Sequence, residues 1–263
     1  MLKTNKIILI LAFILGLSLN LSAGTVERAD SAYSAENFTL AADLYRKVLA
    51  SGESSADLYY NLGNAEFRLG HLGQAVLCYE RALRLDPASA DARNNLDFVN
   101  ARIVDRPGER GTFLGNALDA AATWMSSNAW AWIAFVLFVL TLAGIVCYIF
   151  TSAIALRKVG FFGSIATLVL TLVSLFFAVR GASISSDSSQ AIVTAPSTIL
   201  STTPRTPKAR TEEAMLLHEG TKVKILDSVR SATDSVAPLW LDVEVDNTHR
   251  AWLDARHAER INP

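Results

Sequence analysis

Two stretches of more than twenty residues without a charge, Ala129 to Phe150 and Val159 to Val179, constrain this chain more than any other feature. At 1.5 Å per residue the first makes a helix about 33 Å long and the second is about as long, enough for the roughly 30 Å hydrocarbon core of a bilayer. A soluble core helix seldom stays apolar on every side for that length, so two membrane spans are expected. Trp124, Trp130 and Trp132 lead into the first span, at the level where an amphipathic indole sits best between headgroups and hydrocarbon. Neither span holds an acidic or basic residue, which argues against an ion or proton pathway built from this chain alone. Gly160 and Ser164 form a small-xxx-small pair, a weak signal of helix packing.

A third apolar block opens the chain. Lys3 and Lys6 lead into an uncharged run from Ile7 to Leu21, closed by Leu21-Ser22-Ala23-Gly24, the three-part pattern of a secretory signal. As a helix this run is about 22 Å long, too short to span, so residues 1–23 are expected to be a cleaved signal peptide ending at Ala23 or Gly24. No cysteine follows the run to carry a lipid. The connector with Arg157 and Lys158 is expected to stay cytoplasmic. Arg180 on the far side opposes that orientation as one charge against a basic pair and a signal. The expected location is the inner (cytoplasmic) membrane of a bacterium, crossed twice, with both soluble parts in the periplasm.

Between the signal and the first span the sequence repeats itself at an offset of 34 residues. Ala41, Tyr45 and Leu49 recur as Ala75, Tyr79 and Leu83, and Ala29 and Tyr33 recur as Gly63 and Phe67. That period indicates helix-turn-helix repeats. Apolar or small residues at 41, 44, 45, 48 and 49, and again at 75, 78, 79, 82 and 83, draw one helical stripe that each hairpin cannot bury alone.

Residues 56–89 resemble the tetratricopeptide repeat family, through Leu58-Tyr59-Tyr60-Asn61-Leu62-Gly63-Asn64-Ala65, then Gly70, Ala75, Tyr79, Ala82 and Asp86-Pro87. Gly63, Ala75 and Ala82 let two helices approach closely, Gly70 suits a left-handed turn between them, and Pro87 ends the second. Two departures stand out: Glu66 occupies a position where the family has an aromatic, with Phe67 beside it, and an earlier repeat over about 22–55 lacks the closing proline. After Ser89, a candidate cap, Ala92, Leu96, Val99 and Ile103 draw one more helix that covers the last repeat. The resemblance implies a partner-binding groove on the inner face of the first helices, which here means Asp57, Tyr60, Asn64, Phe67 and Arg68.

From Ser185 onward the composition shifts to Ser, Thr, Pro and alternating β-branched residues, and strands are expected at 191–194, 198–200, 215–217, 222–226, 241–245 and 251–253. Short strands in about 75 residues suggest a small barrel. The run Ala191-Ile192-Val193, Leu217 to Val223 with Gly220 at its turn, Trp240, and Ala251-Trp252-Leu253 is similar to the bacterial SH3 family. Members of that family bind cell-wall peptides or glycans, which makes Trp240 and Trp252 candidates for an SH3-like groove, with Trp252 otherwise read as core.

No phosphate-cradling glycine loop, HExxH, nucleophile elbow or CxxC pair occurs, so no catalytic residue, metal ligand or cofactor is expected. His71, His218, His249 and His257 are scattered and expected at the surface, and Cys78 and Cys147 lie too far apart in the scheme to pair. With 24 basic against 25 acidic residues, a nucleic-acid face is not expected.

The fold class expected is a multidomain membrane protein: α-helical tetratricopeptide repeats (24–104, with a capping helix over 89–104), a linker (105–128), a transmembrane hairpin (129–151 and 159–179, joined by a cytoplasmic connector at 152–158), a second linker (180–190) and an all-β SH3-like barrel (191–263). This order resembles the repeat-containing, BatE-like member of the Bacteroides aerotolerance (Bat) operon family, and the resemblance covers nearly the whole chain. It implies von Willebrand A-domain membrane proteins and a MoxR-type ATPase as partners. The function expected is a membrane-anchored scaffold or adaptor rather than an enzyme, with peptidoglycan binding through the SH3-like domain as the alternative.

Overall fold

Small polar residues start the helices of the repeat region. In a computed structural model describing residues 24–105, 111–230 and 239–262, helix α1 covers 24–34, α2 Phe38–Ala50, α3 Ala56–Arg68, α4 Leu72–Leu85 and α5 Ala90–Asn100. The side chains of Asn37, Ser55 and Ser89 accept from the backbone N–H groups of Leu40, Leu58 and Ala92, each satisfying one of the amides that a helix start leaves bare. Gly70, at φ +83°, makes the turn from α3 to α4. A Cβ on Gly63 would stand 2.8 Å from the Tyr79 ring, so glycine there is what lets α3 and α4 close up. The expected signal at 1–23 lies outside the described residues.

Glu66 is the departure with a structural meaning. Its side chain is 1% exposed, where Arg46 and His71 both hold it, His71 Nδ1 at 2.9 Å from Oε2. A buried carboxylate is tolerated only when paired, so the two repeats are tied through charge where the family uses an aromatic ring.

The strands are β1 Gln190–Val193, β2 Ser197–Ser201, β3 Glu213–His218, β4 Lys222–Val229, β5 Trp240–Glu244, β6 Arg250–Asp254 and β7 Ala258–Arg260. All pair antiparallel, in the order β3-β2-β6-β5-β4-β1-β7. The expected barrel is therefore corrected: the sheet does not close. The unexpected β7 extends it beyond β1, and at that edge the carbonyls of Arg260 and Ile261 accept from Arg81 of α4, at 2.8 and 3.2 Å, in place of a further strand. Gly220, at φ +87°, turns the chain into β4 as its sequence context predicts.

Repeats and sheet, read in the sequence as separate modules, form one compact unit of residues 24–85, 89–105 and 188–262. Ile192 and Ile261 share a core with Ala75, Val76, Tyr79, Leu96 and Val99. Around it Lys222 Nζ donates to both oxygens of Glu80 at 2.8 and 2.9 Å, Arg84 to Gln190 at 2.8 Å, and the Gly73 N–H to Glu219 at 2.8 Å. At the far end of the joint Asp105 accepts from the Thr221 hydroxyl at 2.7 Å and from the His218 backbone N–H, with His218 Nδ1 at 2.9 Å. A solenoid of two repeats and a cap exposes its outer apolar face, and here the sheet covers it.

The second unit contains 111–187. The expected linker at 105–128 holds a helix, α6 Phe113–Ala122; α7 runs Ser127–Phe150 and α8 Ile154–Ser186. Arg157 and Lys158 thus stand in the first turn or so of α8 rather than in a connector, and the helix continues to Ser186 through the expected second linker. Hydropathy marks where apolar residues stop, whereas a helix continues as long as its backbone pattern is favoured. Both α7 and α8 are long and apolar enough to cross a membrane, and most of their apolar side chains face outward. Gly144 meets Gly160 and Ser164 where they pack, a Cβ on Gly160 standing 2.7 Å from the Gly144 carbonyl. The Thr141 hydroxyl donates to Thr167 at 2.8 Å in the same seam.

Candidate partner-binding groove

Helices α1, α3 and α5 turn one face each into a shared depression of about 190 Å³. Tyr33 comes from α1, Asn64, Phe67 and Arg68 from α3, and Asn95 and Phe98 from α5. The 34-residue period explains the alignment. Tyr33 precedes Phe67 by one period, and Leu58, Asn61, Leu62 and Ala65 precede Ala92, Asn95, Leu96 and Val99 by one period. Helix α5 therefore stands where the first helix of a third repeat would stand.

At the floor Asn64 Oδ1 accepts from the Tyr79 hydroxyl at 2.7 Å and from Asn95 Nδ2 at 2.9 Å, and Asn95 also reaches the Tyr60 hydroxyl at 3.4 Å. Tyr60 and Tyr79 meet ring to ring at 6.1 Å. Burial raises the Tyr79 phenol above its ordinary pKa, so it remains a hydrogen-bond donor at neutral pH. The walls are aromatic and cationic. Phe67 meets Phe98 edge to face at 5.6 Å, Arg68 lies over the Phe38 ring at 4.2 Å, and Arg102 lies over Phe98 at 3.4 Å. Phe98, half-exposed at 49%, gives the depression an apolar lip open to solvent.

Of the five residues expected in a groove, Asn64, Phe67 and Arg68 line it. Tyr60 stands behind them in the hydrogen-bond network, and Asp57 is exposed in the first turn of α3, where a carboxylate favours the helix start. Tyr33, Asn95 and Phe98 were not expected there, although the period marks two of them, Tyr33 one repeat before Phe67 and Phe98 one repeat after Asn64.

On the sheet, the registers Trp240↔Asp254 and Asp242↔Trp252 put both indoles on one face as diagonal neighbours. They do not form one cleft: Trp240 is buried, Trp252 is half-buried, and between them lie two buried carboxylates. Asp242 accepts from Arg250 Nε at 2.8 Å and Asp254 from Arg256 Nη2 at 2.6 Å. These hydrogen bonds raise both guanidinium pKa values further. The histidines are engaged rather than solitary, His257 with the Thr198 hydroxyl at 2.8 Å and His249 with Asp246 at 2.8 Å. Burial pushes the Cys78 thiol up to about 12, which keeps it protonated and unreactive at neutral pH. Among the described residues no group of three or more His, Cys, Asp or Glu side chains is placed to hold a metal.

Residues 56–89, helices α3 and α4 with their closing turn, match the tetratricopeptide repeat family.

Proposed function

We propose that this protein is a membrane-fixed scaffold of a bacterial cell envelope, which holds a protein partner in the groove of its repeats and does no catalysis. Tetratricopeptide repeats suggest protein–protein interaction in general. The observation that carries the reading here is the contrast between the repeats' faces: the sheet domain occupies the outer face, while the inner face keeps Phe67, Arg68, Asn95 and Phe98 around an open depression.

The two-span placement has support of a different kind. Residues before and after the α7–α8 hairpin pack into one unit, so they share one compartment, and two crossings return the chain to the side it left. Arg180, the charge that opposes a cytoplasmic turn at Arg157 and Lys158, is paired with Asp119 at 2.6 Å. With a signal, both soluble segments are periplasmic. The likeness to the Bat operon family names the partner class as von Willebrand A-domain membrane proteins with an associated MoxR-type ATPase. Peptidoglycan binding through the sheet is the weaker reading, since Trp240 is buried and only Trp252 is half open to a ligand.

The test uses the lip rather than the floor, because Tyr60 and Asn64 bond within the fold. The full chain carrying Phe98→Ala with Arg68→Ala is expected to lose, on co-purification from membranes, a von Willebrand A-domain protein that the unaltered chain retains. Retention of an unchanged partner set by a normally folded variant overturns the groove assignment.

A further inference from the structure

Helix α6 is amphipathic in the opposite sense to a helix packed on a water-soluble protein. At 100° per residue Phe113, Leu114, Ala117, Leu118 and Ala121 fall within an arc of about 140°, with Asp119 and Ala122 on the other side. It is that other side which meets α8. Asp119 pairs with Arg180 at 2.6 Å, and a Cβ on Gly181 would stand 3.2 Å from the Ala122 carbonyl. The start of the apolar arc points away, with Phe113 88% and Leu114 68% exposed while Leu118 and Ala121 are partly covered, and Trp124, just past the helix, is 73% exposed. In water that arrangement spends the one charge on a protein contact and leaves Phe113, Leu114 and Trp124 bare, the reverse of what burial favours.

The same end of the hairpin explains it. Trp130 stacks on Phe177 at 5.0 Å one turn from Arg180, and Trp132, Val136 and Val179 continue an outward-facing apolar surface along α7 and α8. Resting on the reading of those helices as membrane spans, we propose that α6 is an interfacial helix. It lies along the boundary between headgroups and hydrocarbon at the Arg180 end, with Phe113, Leu114 and Trp124 among the acyl chains and the Asp119–Arg180 pair turned to the protein. Lipid fits better than a second copy of the chain. The three large side chains expose on the order of 500 Å², short of the roughly 800 Å² per partner of a stable interface, and they are continuous with a surface that already calls for lipid.

Nitroxide labels test this on the full chain in nanodiscs of phosphatidylethanolamine and phosphatidylglycerol, in a Cys78→Ala, Cys147→Ser background. One label is placed at each of Leu114→Cys, Asn116→Cys and Val136→Cys, and collisions with oxygen and with a water-soluble nickel complex are compared. The oxygen-to-nickel ratio is expected to be about fivefold higher at 114 than at 116 and close to that at 136. A nickel-accessible 114 with a lipid-like 136 puts α6 in water and overturns the proposal while the span stands. Exclusion of both reagents from 114 with spin–spin broadening means a second copy covers the face, which also overturns it. A nickel-accessible 136 removes the span, and the proposal with it.

Discussion

On its outer side α4 carries Gly73, Val76, Glu80, Arg81 and Arg84, and each of them meets the sheet domain. On the inner side α3 carries Asn64, Phe67 and Arg68, which meet α2, α4 and α5 and border open space. Both faces hold charge and apolar surface, yet they use them differently. On the outer face Lys222 answers Glu80, Glu259 and two backbone carbonyls answer Arg81, and the Gln190 amide oxygen takes one nitrogen of Arg84, while Arg81 and Glu80 are only 14% and 15% exposed. Ion pairs this sheltered fix a geometry more than they add stability, because loss of either partner strands the other. On the inner face the cations lie over rings and the amides bond among themselves, leaving an aromatic lip in solvent. A face whose charges are sheltered and bonded across it is a joint, whereas one with partly exposed aromatic and guanidinium groups is what a partner needs.

Breaking the joint should have the largest effect. Arg81→Ala removes the bonds to Glu259, Arg260 and Ile261 and is expected to cost about 3 kcal/mol, seen by hydrogen exchange as deprotection of both α4 and β1. Equal protection in variant and parent would show that repeats and sheet are independent modules after all. Gly73→Ala tests the same joint by shape, since its Cβ would lie 2.9 Å from the Val193 carbonyl oxygen. A loss of about 2 kcal/mol is expected, with the sheet's own strand protection retained; unchanged protection of the joint would mean α4 and β1 are not held this close.

Acid should separate the two faces by a smaller margin. Burial raises the Asp105 pKa, but the Thr221 hydroxyl and His218 N–H bonds outweigh it and hold the carboxyl below its ordinary value. A depressed carboxylate stabilises the fold above its unfolded pKa of about 3.9, and that contribution disappears as pH falls through the folded value. Between pH about 5 and 3 the joint amides should therefore lose protection more steeply in the parent than in Asp105→Asn. Identical slopes would remove Asp105 from the joint.

How much of this was legible in the residues depends on whether the signal is local. The stripe at 75, 78, 79 and 82, the turn at Gly70, the cap at Ser89 and the six alternating strands all lie within a few residues of their cause, and the structure places helices and strands over them. Strand β7 was not legible: Ala258-Glu259-Arg260 has no β-branched residue, and it is extended because β1 pairs with it. Helix α6 differs, since the Thr112 cap and an alanine-rich, one-sided run are local helix signals that a reading of the stretch as linker passes over. In the groove, Asn64, Phe67 and Arg68 follow from the repeat resemblance, and Tyr33 and Phe98 stand one period from Phe67 and Asn64, whereas Asn95 has no counterpart among them and is supplied by α5.

By itself the sequence determined two uncharged stretches long enough, as helices, to span a bilayer, a 34-residue helical repeat and a set of short strands, because periodicity and apolar length act over one turn or one pleat. Only the tertiary structure decided that repeats and sheet are one body, that the sheet stays open, and which repeat face remains free. Those outcomes depend on pairs such as Arg81 with Ile261, 180 positions apart in the chain. The charged stripe of α4 looks like any solvated helix face until the strand that answers it is in place, and no local pattern encodes that meeting.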